Sequence, residues 1–149
     1  MGFAALVTWC GTVLLGLYMV TVWLIEYDPT RRGGAASRLP PAVVFSHLTL
    51  ALSGLVVWII YLVTDGQGLA WIAVGTLTVI ALLGLLMFAR WIPAYRSQDS
   101  PVLPQRFPGE PRPAPPESHF PEAVVACHGV LAVATYVLVL LTSLKVGGS

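Results

Sequence analysis

Two histidines stand out as the groups in this 149-residue chain that could do chemistry. His47 lies in AVVFSHLTLA (42–51) and His128 in AVVACHGVLA (123–132), two segments that share the pattern AVVxxHxxLA. His47 comes six residues after Pro41 and His128 seven after Pro121. At 1.5 Å per helical residue both imidazoles lie about 9 to 10 Å into their helices, at one common depth. Two rings at one depth suit axial ligation of a haem iron, one on each face of the porphyrin. Ala51 and Gly54 follow His47 at i+4 and i+7, and Ala132 and Thr135 follow His128 in the same way, which leaves room for a flat macrocycle. Gly16 and Gly84 on the other helices could admit its edges. Arg38, Arg90 and the Arg31 and Arg32 pair are candidates to hold its propionates through charge-assisted hydrogen bonds.

The elements that carry these residues follow from composition. Hydrophobic residues make up 56% of the chain and charged ones 10%, against roughly 25% charged in a soluble domain. With mean hydropathy at +0.80, lipid is the solvent. A net charge of +1 leaves too few basic groups to neutralise a run of phosphates, so nucleic acid is not a partner. Four apolar runs, at about 3–25, 42–63, 69–89 and 123–144, each approach the ~20 residues that a helix needs to cross a bilayer. None alternates at the period of two that a membrane barrel requires. The expected fold is an all-α integral membrane protein, a four-helix bundle in one domain, with a tight turn after Asp65 and a proline-rich loop over 93–121. The N-terminal run has no basic start and no small-residue cleavage site, and reads as a retained span.

The runs repeat. LLGLYM (14–19) matches LLGLLM (82–87), followed in step by Trp23 and Trp91, just as the two histidine segments match each other. Two parallel helical hairpins related by a pseudo-two-fold axis along the membrane normal are expected, with His47 and His128 facing each other. Seven arginines fall in or beside the first and third loops and Lys145 alone on the other side. The excess of positive charge places those loops in the cytoplasm and both termini outside. Arginine in preference to lysine, with abundant alanine, glycine and proline, points to a GC-rich bacterium and hence to its plasma membrane.

On the His47 and His128 pair and the four-span architecture, the chain resembles the membrane b-type cytochromes, which hold haem between facing histidines of a helix bundle. It is also similar to small four-span proteins of actinobacteria, a resemblance that carries no activity. With two histidines inside its spans rather than four, at most one haem b is implied, and the chain departs from the two-haem b561 pattern. The resemblance implies an electron-transfer component, not a stand-alone catalyst, whose partners are the lipid bilayer and a quinone pool or redox subunits, in an oligomer or supercomplex. No nucleophile with its base, phosphate loop or carboxylate pair supplies a catalytic residue. The alternative function is a non-catalytic accessory or assembly subunit of a larger respiratory complex, docked through the proline-rich loop.

Plainer roles stand beside these. The histidines could be core groups bonded to each other, to Ser46, Thr49 or Thr135, or to a backbone carbonyl. A non-haem metal would need His119 and Glu122 to join His128, at a spacing that matches no zinc motif. Gly16 and Gly84 could be close-packing positions. The arginines could do no more than set topology and touch anionic headgroups. Trp23, Trp58, Trp71 and Trp91 fit an interfacial belt, whereas Trp9, Tyr18 and Tyr61 could line the interior. Cys127 is expected to pack beside His128, and Cys10 to lie near the opposite membrane face.

Overall fold

The computed structural model describes residues 1–30, 36–96 and 115–145. They form α1 (Gly2–Glu26), α2 (Pro41–Thr64), α3 (Gln67–Arg96), a short 3₁₀ turn (Pro116–His119) and α4 (Glu122–Ser143). All four α-helices are long and apolar enough to cross a membrane, so the chain is a four-helix, multi-pass membrane protein. Arg31, Arg32, Arg106 and Arg112 and most of the proline-rich loop lie outside the described residues.

Proline fixes where the histidine helices begin. Pro40 caps α2 at φ −64°, ψ 130° and Pro121 caps α4 at φ −62°, ψ 128°. Each carbonyl then accepts the N–H groups three and four residues on, from Val43 and Val44 in one case and Val124 and Val125 in the other. The two helices thus start in the same register, and His47 and His128 each stand seven residues after the capping proline. At the opposite end Asp65 leaves α2 in a left-handed conformation (φ 52°), and its N–H closes on the Tyr61 carbonyl at 2.8 Å. Gln67, in the first turn of α3, donates to the Ser143 carbonyl at 2.6 Å. That bond satisfies one of the carbonyls left open where α4 ends.

The helix contacts repeat with the sequence. α1 packs most extensively against α4 and α2 against α3, while the sequential hairpin pairs touch less. A two-fold relation that exchanges α1 with α3 and α2 with α4 requires this pattern. The third helix runs past its expected end at Ala89 to Arg96, with Pro93 inside it. Pro93 cannot give the hydrogen bond that its N–H would make to the Ala89 carbonyl, and the helix continues only three residues past it. α1 and α3 therefore project beyond the starts of α2 and α4, and the 3₁₀ turn packs against both of them.

Two apolar clusters hold the interior. The larger, towards the termini, gathers Ala5, Trp9, Trp58, Tyr61, Ala73, Leu77 and Val139, and the smaller, at the loop end, gathers Trp23, Leu39 and Val44. Trp23 and Trp58 are 1% and 0% exposed and so are core residues, not belt residues. Their indole N–H groups find acceptors inside the fold, Ser37 Oγ at 3.0 Å and the Gly2 carbonyl at 3.2 Å, which removes the usual reason for tryptophan to stay at an interface. Trp9 and Tyr61 are interior as well, whereas Tyr18 is exposed. Trp71 is exposed, as a belt residue would be. The outer surface is rich in exposed leucine, valine, isoleucine and phenylalanine, among them Phe3, Val7, Val63, Leu82, Leu85 and Val130. Such a surface suits hydrocarbon, not water.

Candidate functional site: a histidine pair between two cores

The two apolar clusters leave a layer between them, and the histidines occupy it. On α2, His47 falls between Val44 of the smaller cluster and Leu50 and Ala51 packed on the larger. On α3, Gly84 falls between Ile80 and Met87 in the same way. The His47 and His128 ring centroids are 6.4 Å apart, with planes inclined at 49°.

Each ring rests on a glycine of the helix that packs against its own. A Cβ at Gly16 would stand 3.2 Å from His128 Cε1, and one at Gly84 would stand 3.3 Å from His47 Cε1. The two glycines are thus seats for the imidazoles. Gly54 does not leave a void for a macrocycle, because the Trp9 indole fills the space, 2.9 Å from where its Cβ would be. Thr135 is buried and its hydroxyl bonds back to the Leu131 carbonyl at 2.8 Å, not to a histidine. The backbone supplies the polar partner instead: His128 Nδ1 lies 3.0 Å from the Thr12 carbonyl across the α1–α4 interface. His47 Nδ1 is buried with no hydrogen-bond partner.

The Thr12 contact sets the level of other residues. Cys10 is two residues before Thr12 and Cys127 is next to His128, so they lie at similar depth, not near opposite faces. Both are free, and Cys127 is exposed on the outside of α4 and does not pack beside the histidine. A helix position one residue from an inward-facing group is turned about 100° away from it. His119 sits in the 3₁₀ turn with Nδ1 3.3 Å from the Pro116 carbonyl. Among the described residues no three His, Cys, Asp or Glu side chains gather as a metal site.

At the loop end Arg38 and Arg90 come together. Arg90 Nη1 donates to the Arg38 carbonyl at 3.1 Å, and both line a crevice of about 470 Å³ with Tyr27, Asp28, Ser37 and Pro40. A second crevice of about 580 Å³ is lined by Tyr95, Ser118, Phe120, Pro121 and Glu122. Tyr27, Ser37, Leu39 and Pro40 of the first correspond by the repeat to Tyr95, Ser118, Phe120 and Pro121 of the second. The repeat therefore extends beyond the spans into a Trp-x-x-x-Tyr row, in which Trp23 meets Tyr27 at 4.5 Å and Trp91 meets Tyr95 at 5.1 Å.

Sequence reasoning misses Glu117 as part of the architecture. It is 0% exposed, and its carboxylate accepts from Ser37 Oγ at 2.9 Å and from the Arg38 N–H at 2.6 Å. Ser37 is the acceptor for Trp23, so this acid ties the third loop to the first above the smaller cluster. A sequence signal exists in hindsight, since Glu117 sits next to Ser118, the repeat counterpart of Ser37. No protein family, curated protein or solved structure matches the chain.

Proposed function

We propose that this protein is a membrane b-type cytochrome-like electron carrier that holds one haem b between His47 and His128. The observation that carries the reading is the 6.4 Å separation of the two rings. A metal–imidazole bond is about 2 Å and a ring centre lies about 1 Å from its nitrogens, so two imidazoles on one metal ion stand roughly 6 Å apart. Two protein ligands without a third, among the described residues, favour a metal carried in a macrocycle over zinc, which takes three or four. A haem held there supplies one-electron oxidation and reduction. The chain's residues do the rest: the Thr12 carbonyl orients His128, Gly16 and Gly84 seat the rings, and the two apolar clusters exclude water on either side. Arg38 and Arg90 offer cationic partners for carboxylates at the loop end.

On this reading the protein lies in a bacterial plasma membrane with the arginine-bearing loop end in the cytoplasm and both termini outside. Its electron partners are a quinone or the redox subunits of a larger assembly. The His128–Thr12 bond also favours a second reading, in which the histidines only join helices and the protein is a non-catalytic accessory subunit. A pyridine haemochrome assay on purified protein expressed with ample haem separates the two. About one haem b per chain, with sharp bands in the reduced-minus-oxidised spectrum, is expected of the carrier. A featureless spectrum would leave the accessory reading.

A further inference from the structure

The repeat makes the two histidines equivalent in sequence, yet their rings are held differently. His128 Nδ1 has the Thr12 carbonyl at 3.0 Å. His47 Nδ1 is buried without a partner in hydrogen-bond geometry, although the Ile80 carbonyl, the repeat counterpart of Thr12, lies near enough to act on the ring. The residues that present the two carbonyls differ as well: Thr12 Oγ1 donates back to the Thr8 carbonyl at 2.8 Å, whereas position 80 is isoleucine.

The hydrogen bond from a ligating histidine's other nitrogen fixes its tautomer and orientation, and loss of such a partner weakens metal binding by about 10–100-fold. With Nδ1 committed to Thr12, His128 has Nε2 free to face the metal. His47 Nδ1 has only the looser approach of the Ile80 carbonyl, outside hydrogen-bond geometry. Resting on the haem reading above, we infer that His128 is the fixed ligand and His47 the exchangeable one, so that the site accepts a neutral diatomic gas in place of the His47 imidazole. The exchange breaks one nitrogen–iron bond and forms one gas–iron bond, with no electron or proton transferred.

Carbon monoxide is the probe. Haem-loaded wild-type protein, reduced with dithionite and titrated with carbon monoxide, is expected to show a shift of its Soret band. His47→Ala is expected to keep its haem and to bind carbon monoxide roughly tenfold or more tightly than wild type, whereas His128→Ala loses haem at least about tenfold more readily than His47→Ala. The titration of the wild type stands even where a variant does not fold. A haem-loaded wild type whose spectrum saturating carbon monoxide leaves unchanged would overturn the inference and leave the haem reading intact. Equal haem loss in the two folded variants would do the same. A wild type that takes up no haem would overturn the haem reading and this inference with it.

Discussion

Gly16→Leu is expected to lower haem content at least about tenfold, the scale on which displaced supports of a metal ligand act, and Gly84→Leu, which displaces the exchangeable His47, to lower it less. The reason is steric and local. A bare Cβ at either position already stands 3.2 or 3.3 Å from the Cε1 of a histidine ring, closer than ordinary van der Waals contact, and the leucine branches have to enter the space the imidazole fills. The ring then turns or the helices part, and two rings can no longer meet one metal ion. Overpacking of this kind also costs about 1–3 kcal/mol of stability. Gly75→Leu is the control. It lies on α3 in open space, with no side chain or backbone within 4 Å of its Cβ position, and haem content there is expected to stay at the wild-type level. Haem-to-protein ratio after purification in mild detergent reads the effect. Wild-type ratios in both Gly16→Leu and Gly84→Leu would show that these glycines do not seat the ligands.

Glu117→Leu is the second substitution with a large expected effect. The carboxylate is wholly inside the fold, and its removal leaves the Ser37 hydroxyl and the Arg38 N–H without the acceptor they now share. Ser37 Oγ keeps the Leu39 carbonyl at 3.3 Å as an acceptor, so the chief loss is the bond from the part-buried Arg38 N–H, about 1 kcal/mol or more, and a looser hold of the third loop on the first is expected. Glu117→Gln retains an oxygen acceptor and is expected to lose less. Amide hydrogen exchange across 36–40 and 115–120 is the measurement. Faster exchange in the leucine variant than in the glutamine variant is the expected order, and exchange at the wild-type rate in both would mean that Glu117 does not fasten the loops.

Much of the architecture was legible in the sequence because one repeated pattern states it twice. Four apolar runs gave the four helices to within a few residues, except where α3 continues past its apolar run through Pro93 to Arg96. The AVVxxHxxLA pattern put the histidines at one depth, and their facing follows from the symmetry it implies. Other features were hidden because they depend on partners far along the chain. Trp23 and Trp58 look like belt residues until Ser37 and Gly2 are seen to accept their indole N–H groups. Gly54 looks like clearance until Trp9 is seen to fill it. Glu117 lies in a proline-rich stretch whose composition gives no hint that one carboxylate is buried there. The level of Cys10 follows only from the Thr12–His128 contact, because counting from helix ends misjudges depth when α1 and α3 project beyond α2 and α4.

The central claim is that His47 and His128 together hold the haem, and the double variant His47→Ala/His128→Ala tests it most directly. Wild type and double variant are purified side by side after expression with the same haem supply, and their haem b is counted by pyridine haemochrome against protein. About one haem per wild-type chain and none in a double variant that remains folded is the expected result. Equal haem in both proteins would contradict the account, because the cofactor would then rest on residues other than this pair.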